Sequence, residues 1–384
     1  MSQEEYAVLN RTLEALRLYQ LWPKKGQSFS SGNRYHLRYF LMLVTCSPLW
    51  IGTILHIAIV LKDNLEINIS EDYSLISSLT GLHIIHLSFV WKQKKVALLY
   101  KHLSNFETFG KPVNFDKRNR QLNLFSKLFS FYCGFGILIY AIIAIQAEPK
   151  CRRTNEEKNL NEICGMFTPI WAPFNIDFFP LKQIAFAIQI YGIVIIIKGG
   201  ASISFSSYEV AQHIVLRIEH LNGLLRKVFD DPDDTIKRRS LINCIRYHRY
   251  IIDIFELFDD CYKNCYGCYV IMTGIIFGCI AKQFVQESNV GALIHLGGWV
   301  FSLFFCCHAG QSVLSGSMTI APAAFESKWY EAPVELQRDL LMLIMRSQLP
   351  FYHHATPIGT MTFSLFINLI KTSYSYFTLL NESM

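Results

Sequence analysis

The sequence predicts an all-α membrane protein with seven transmembrane helices, a cytoplasmic N-terminus and an extracellular C-terminus. The chain of 384 residues has 51% hydrophobic and only 17% charged residues, whereas soluble domains have about 25% charged residues. Its apolar residues gather into stretches of about 20, the length that crosses a hydrocarbon core. Its basic residues lie mainly in alternate loops between these stretches, which is the usual sign of orientation in a membrane.

Seven stretches are long and apolar enough to be spans. They cover approximately residues 38–61, 73–91, 124–146, 183–205, 265–286, 291–314 and 356–380. The segment before the first span, residues 1–37, is polar and basic and has no apolar core followed by a small-residue cleavage site. We therefore expect no signal peptide before the first span.

The Lys and Arg residues between the spans give the direction of insertion. The N-terminal segment and loops two, four and six together hold 26 of them, whereas loops one and three hold 6. Loops rich in basic residues stay in the cytoplasm. The count therefore predicts a cytoplasmic N-terminus, and an odd number of spans then places the C-terminus outside. A G-protein-coupled receptor has the reverse orientation.

Two features of the predicted outer loops fit this orientation. Loop one contains the glycosylation acceptor pattern Asn68-Ile69-Ser70, and loop three contains Cys151 and Cys164. Thiols outside the cell meet an oxidising compartment. A disulfide between these two cysteines and a pair of free thiols both remain open, because sequence spacing does not fix the geometry of a disulfide.

Two cytoplasmic segments are predicted to be helical as well. Residues 206–262 repeat apolar side chains near the helical period, with an acidic break at Asp230–Asp234. Residues 315–355 contain a second helix that opens at Pro333 and ends before Pro350. These helices either pack within their own chain or join subunits to one another.

The sequence carries no recognisable catalytic chemistry. No span core contains Asp or Glu, which argues against a proton relay. Nucleotide-binding loops, metalloprotease motifs and nucleophile elbows are absent as well. Cys261, Cys265 and Cys268 lack the partners that a zinc site needs. We expect no enzyme activity, no cofactor, no metal and no nucleic-acid partner.

The last span carries a polar stripe along one face. Its members recur at intervals of four and three residues, the spacing of a helix face, and are Ser364, Asn368, Lys371, Ser375, Thr378 and Glu382. Inside a bilayer such a stripe must face other helices or water. It either makes hydrogen bonds within one bundle or lines a pore, and a pore requires several subunits.

The C-terminal part of the chain resembles the signature of insect odorant receptors. The resemblance covers about 55 residues and lies in Phe325–Tyr330, Leu340-Leu341, Ile344–Gln348, Pro350 and Lys371–Leu380. It implies an odorant-tuning subunit of a tetrameric, non-selective cation channel, formed with the odorant receptor co-receptor. The implied location is the plasma membrane of the olfactory neuron dendrite. The implied ligands are small volatile organic molecules, and monovalent and divalent cations would pass through the pore.

The resemblance also assigns parts of the chain to roles. Residues 1–37 would be a cytoplasmic segment, and residues 38–314 would hold the first six spans, the odorant pocket and the helical extension 206–262. Residues 315–355 would be a cytoplasmic anchor helix, and residues 356–384 the pore-lining helix with its tail. The gate would fall at Leu379, after Ser375 and Thr378, with Glu382 and Ser383 toward the outer mouth.

The odorant pocket would lie in the outer halves of spans two to six. The candidate residues there are Tyr73, Ser77, Thr80, His83, Phe135, Leu138, Ile139, Ile142, Phe186, Ile190, Met272, Ile276 and His295. The alternatives are a gustatory receptor channel of the same superfamily, a G-protein-coupled receptor and a secondary transporter. A transporter would show internal repeats, which this sequence lacks.

Overall fold

Helices make up almost the whole of the computed structural model. It describes residues 6–24, 32–65, 67, 69–174, 176–287 and 290–382. In the N-terminal half the helices are α1 Asn10–Leu18, α2 Gly32–Lys62, α3 Ser70–Trp91, α4 Gln93–Ser104, α5 Phe115–Gln146, α6 Glu148–Lys158 and α7 Leu181–Arg226. In the C-terminal half they are α8 Asp234–Glu287, α9 Val290–Ser317, α10 Ile320–Phe325, α11 Val334–Ser347 and α12 Phe363–Glu382.

Six helices, α2, α3, α5, α7, α8 and α9, are long and apolar enough to cross a membrane among the described residues. Each contains one of the first six predicted spans. The last helix, α12, has 20 residues but is not among the six, because its polar stripe dilutes its hydropathy. The chain is therefore a multi-pass membrane protein, and its seventh span stays a prediction.

The last predicted span begins too early. The chain forms a short β-hairpin before α12, in which β1 His354–Ala355 pairs antiparallel with β2 Gly359–Thr360. Pro357 has no backbone N–H to donate, and Gly359 has a φ of 146°, which L side chains rarely adopt. The helix therefore starts at Phe363 and not at residue 356.

The hairpin is fastened to α8 by the carboxylate of Asp259. This carboxylate accepts hydrogen bonds from Nδ1 of His353 at 2.9 Å and from the backbone N–H of His354 at 2.7 Å. Burial alone would raise the pKa of Asp259, but these hydrogen bonds lower it to about 2. The backbone N–H of Thr356 also donates to the carbonyl of Lys263. The entrance to α12 is thus fixed against one wall of the bundle.

The two longest helices extend well beyond the thickness of a membrane. α7 has 46 residues and α8 has 54, so each is about 70–80 Å long at 1.5 Å per residue. A hydrocarbon core measures only about 30 Å. The helical extensions predicted over residues 206–262 are present, and the acidic break lies between Arg226 and Asp234, where α7 ends and α8 begins.

A buried arginine joins these extensions to α4. Arg217 on α7 is 1% exposed, and its Nη2 donates to the carbonyl oxygens of His102, Leu103 and Asn105 at 3.0, 2.9 and 2.8 Å. Carbonyls at the end of a helix lack partners within the helix. The guanidinium supplies those partners and favours the negative end of the helix dipole.

We predict that Arg217→Met lowers the thermal stability of the purified protein in detergent. The substitution keeps an apolar stem but removes the donor from three carbonyl groups, at a cost of about 3 kcal/mol. Arg226→Met is the matched control, because the ion pair of Arg226 with Glu326 is half exposed and contributes less than about 1 kcal/mol. Equal melting temperatures for the two variants would contradict the role of Arg217.

Candidate functional site

A cavity of about 110 Å³ lies among α3, α5, α7, α8 and α9. Its wall is almost entirely carbon. The lining residues are Leu75, Ser78, Leu79 and Leu82 of α3, Phe129, Tyr132, Cys133, Gly136, Ile137 and Tyr140 of α5, Phe167 and Thr168 of the segment between α6 and α7, Ile193, Ile197, Gly200 and Ala201 of α7, Tyr269 of α8, and Ile294, His295, Gly298, Trp299 and Ser302 of α9.

Of the pocket residues predicted from the sequence, only His295 lines this cavity. The predicted helices are the right ones, but the predicted faces differ from the observed wall. Tyr73, Phe135, Leu138 and Ile142 are exposed on the outside of the bundle, Ser77, Thr80, Ile139, Phe186, Ile190 and Met272 are half-buried elsewhere, and His83 and Ile276 are buried in other contacts.

On α5 and α7 the predicted residues differ from the cavity wall in two ways. On α5 the prediction selected the outer face, because Phe135 and Leu138 are as apolar as the inward Ile137. On α7 the predicted residues Phe186 and Ile190 lie on the same helix face as the lining residues Ile193 and Ile197. They are nearer the start of the helix, because each precedes its lining residue by seven positions. Two helical turns separate them.

His295 is the centre of a small hydrogen-bonded group in the wall. Its Nε2 lies 3.1 Å from Nε1 of Trp299 and 3.2 Å from Oγ of Ser78. An indole N–H can only donate, so Nε2 of His295 accepts this bond and the ring proton resides on Nδ1. The three side chains join α3 to α9 and satisfy one another's polar atoms.

The tyrosines in the wall use their phenolic protons within the protein. Tyr132 donates to the carbonyl of Ile294 at 2.9 Å, and Tyr269 donates to the carbonyl of Trp299 at 3.3 Å. Tyr140 donates to the carboxylate of Glu71. These hydroxyl groups have no proton left to donate to a ligand, so recognition depends mainly on the shape and apolar surface of the cavity.

Residues 160–171, between α6 and α7, form a cover over part of the cavity. We call them the outer segment, because the predicted topology places them outside the cell. A buried glutamine fixes this segment in place. Gln189 on α7 is 2% exposed. Its Oε1 accepts the backbone N–H of Phe167 at 2.8 Å, and its Nε2 donates to Oγ1 of Thr168 at 2.8 Å. Both Phe167 and Thr168 line the cavity. Gln189 therefore positions this part of the wall.

Two further links connect this cover to the bundle. Cys151 and Cys164 form a disulfide that joins α6 to the outer segment. His56 of α2 lies between two carboxylates, with Nδ1 at 2.7 Å from Asp72 of α3 and Nε2 at 3.5 Å from Glu162 of the outer segment. The predicted glycosylation site Asn68 lies outside the described residues.

The polar stripe of α12 turns away from the rest of its own chain. Leu365, Phe366 and Leu369 pack against the core, whereas the stripe residues Ser364, Asn368, Lys371 and Ser375 are exposed.

The hydroxyl groups of α12 bond to its own backbone. The hydroxyl groups of Thr372, Ser373, Ser375 and Thr378 donate to the backbone carbonyl oxygens of Asn368, Leu369, Lys371 and Ser375, respectively. Among the described side chains, none of the stripe residues forms a hydrogen bond with another helix of the chain. The side chains of Leu379 and Glu382, and the whole of Ser383, lie outside the described residues.

Comparison with known proteins gives a consistent result. The family model described as 7tm Odorant receptor matches residues 67–374. Odorant receptor 85c of Drosophila melanogaster is 23% identical over 44% of this chain and 45% of its own length. Odorant receptor 10 of Aedes albopictus is 33% identical over 37% of this chain and 39% of its own length. These matches span less than half of each relative.

The fold is similar to that of a solved structure, the insect olfactory receptor OR5 from Machilis hrabei in complex with eugenol. The TM-score is 0.77, and the similarity covers 97% of both chains at 16% sequence identity. At this identity the similarity bears on the fold alone.

We predict that Gln189→Leu loosens the cover of the cavity. Losing two buried hydrogen bonds of about 1 kcal/mol each should speed amide exchange in residues 163–171 about 10- to 30-fold, as measured by hydrogen–deuterium exchange. Gln183→Leu is the matched control, because Gln183 lies on the same helix and is exposed. Unchanged exchange in the Gln189 variant would show that other contacts hold the cover.

Proposed function

Since the chain belongs to the 7tm odorant receptor family, we propose that it is the odorant-binding subunit of a ligand-gated, non-selective cation channel. In this proposal it assembles into a tetramer with the odorant receptor co-receptor in the plasma membrane of olfactory dendrites. The family consists of receptors and not of enzymes. Membership favours this function over a gustatory receptor, a G-protein-coupled receptor or a transporter.

One observation carries the proposal: the cavity and the polar helix share a structural partner. On α9, Trp299 and Ser302 line the cavity, whereas Phe304 contacts the rings of Phe363 and Phe366 on α12, with ring centroids 6.0 and 5.9 Å apart. A molecule bound in the cavity is thus two to five residues along one helix from aromatic contacts with α12.

The proposed ligand is a small, volatile and mainly apolar organic molecule. The wall of the cavity is apolar, and apolar burial contributes about 25 cal/mol per Å². Because the wall's tyrosine and tryptophan protons are already donated within the protein, a strongly polar ligand would lose hydrogen bonds to water without replacing them.

Gating would follow from a shift of population. A ligand that fits the cavity better in the open state stabilises that state by the difference between its two affinities. α9 would carry the rearrangement to α12, and the pore would widen at the predicted gate, Leu379. Ser375 and Thr378 would line the path below the gate, and Glu382 and Ser383 would lie toward the outer mouth, where a carboxylate favours cations.

Subunits would meet through α12 in the membrane and through α11 in the cytoplasm. α11 buries Leu336, Leu340 and Leu343 against its own chain. It exposes Leu341, Met342 and Met345 on another face. An apolar face of this kind is suited to contact with a neighbouring subunit. The N-terminus would be cytoplasmic and the C-terminus extracellular, with α12 as the seventh span.

We predict that Ser375→Cys makes the odorant-evoked current sensitive to a charged, membrane-impermeant thiol reagent. Ser375 is exposed on the stripe, so a thiol there should face water in an assembled pore, and its modification should block most of the current. Ser373→Cys is the matched control, since Ser373 lies on the same helix and is only 6% exposed. Whole-cell recording from cells that also express the co-receptor measures the effect.

The two cysteine variants separate a pore-lining face from a buried one. The unsubstituted receptor sets the baseline, because the chain has 11 native cysteines. Block of the Ser373 variant alone, or of neither variant, would contradict a pore lined by the stripe.

We predict that Gly298→Val weakens the response to the most potent compound of a volatile panel. Gly298 lines the cavity, and an added Cβ there meets only Cε1 of Tyr132 at 3.8 Å. The added methyl groups therefore occupy ligand space, and the half-maximal concentration should rise about tenfold or more. Gly274→Val is the matched control, because a Cβ at Gly274 meets no atom within 4 Å and Gly274 is not in the wall. Equal dose–response curves for both variants would place the ligand elsewhere.

A further inference from the structure

A second, polar site lies near the start of α5, whereas the cavity lies further along the same helix. It is an open groove of about 470 Å³ between α1 and α5. Its charged lining residues are Arg11 and Glu14 on α1 and Arg120 and Lys127 on α5, and Asn10 and Asn123 add two carboxamides. The proposed odorant site uses none of these residues.

The groove has an excess of positive charge. Arg11 faces Glu14 across a solvent-exposed gap of 3.3 Å. Arg120 and Lys127 are exposed and form no ion pair with any described residue. The amide oxygen of Asn123 is buried without a hydrogen-bond partner in the part of the chain that the structure describes. The groove thus offers two free cations to a ligand.

The predicted topology places the groove at the surface of the membrane. Oγ1 of Thr12 on α1 lies 3.3 Å from Oγ of Ser126, which is in the first turn of the predicted span 124–146. α1 buries Leu13 and Leu16 in the bundle and leaves Leu18 71% exposed. The helix therefore lies beside the membrane end of α5, where phospholipid headgroups are located.

The exposed face of α5 changes from basic to apolar in the direction of the membrane. After Arg120 and Lys127, the face of α5 that is turned away from the bundle continues with exposed Leu128, Phe131 and Phe135. Residues spaced by three and four positions share a helix face. A phospholipid with its phosphate in the groove could therefore lay its acyl chains along the apolar part of the same helix.

We propose that this groove binds the phosphate-bearing headgroup of an anionic phospholipid in the adjacent leaflet, which is cytoplasmic in the proposed topology. The guanidinium of Arg120 matches the oxygen atoms of a phosphate with paired donors, and Lys127 adds a point charge. Two free cations beside an apolar surface suit a lipid better than a polyanion such as nucleic acid.

The experiment measures ligand-induced stabilisation of the purified full-length protein in neutral detergent. The probes are short-chain phosphatidylserine, short-chain phosphatidylcholine and inorganic phosphate, and the readout is the melting temperature against probe concentration. We expect phosphatidylserine to raise the melting temperature at concentrations where the other two probes have no effect. Arg120→Gln with Lys127→Gln should weaken this apparent affinity about 30-fold.

Two further variants make the result interpretable. Lys117→Gln with Arg239→Gln removes the same charge from exposed sites outside the groove and should keep the wild-type affinity. Arg120→Lys with Lys127→Arg keeps the charge and should retain most of the wild-type affinity. The melting temperature without lipid checks that each variant is folded. Equal stabilisation of the Gln groove variant and its control by phosphatidylserine would overturn the proposal. An effect of inorganic phosphate alone would also overturn it, in favour of a free-anion site.

Discussion

The structure depends on one constraint: polar groups inside an apolar bundle must find partners within the chain. Helices satisfy the backbone, and the side chains pair with one another. His295, Trp299 and Ser78 form one such group, and Tyr262 joins Ser206 and Tyr100 at 2.9 and 3.1 Å in another. The wall of the cavity is apolar because its polar atoms have been used in this way. Recognition by shape is thus a consequence of how the bundle is stabilised.

α12 carries a continuous row of polar groups that lack such partners within the part of the chain that the structure describes. Its side chains Ser364, Asn368 and Lys371 are exposed on the surface of the chain, and among the described residues no other helix satisfies them. A bilayer would leave these groups without partners at a cost of several kcal/mol. With α12 as the proposed seventh span, water or neighbouring subunits would have to supply these partners. This requirement supports a pore at the centre of an assembly more directly than the spacing of the stripe does.

The sequence predicts the helices well because hydropathy reports on their positions and lengths. The first six predicted spans lie within observed helices. Boundaries fail where local chemistry intervenes, as Pro357 and Gly359 delay α12. The pocket face is harder to predict, because lipid and cavity are equally apolar environments. On α5, Phe135 and Ile137 look alike in sequence, yet one is exposed and the other lines the cavity.

One signal in the sequence could have identified the inward face. The cavity is lined by small residues at the points where the helices leave room, among them Gly136, Gly200, Ala201 and Gly298. In membrane bundles small residues mark faces that approach other helices, whereas large apolar residues are common toward lipid. The position of the small residues is therefore more informative than the position of the bulky ones.

The size of the cavity limits how strongly a ligand can drive the proposed gating. A small ligand that buries about 200 Å² of apolar surface gains about 5 kcal/mol. Reversing a population from 1:99 to 99:1 requires a difference of about 5.5 kcal/mol between its affinities for the two states. A single ligand would therefore need to gain nearly all of its binding free energy in the open state and almost none in the closed state. A modest bias toward the closed state, or ligands in more than one subunit, relaxes this requirement. In the proposed gating, the contacts between α9 and α12 must therefore be weak enough to yield to a small apolar molecule. These contacts include the ring of Phe304 against Phe363 and Phe366. They also include a hydrogen bond of 3.4 Å from the backbone N–H of Phe363 to Oε1 of Gln311.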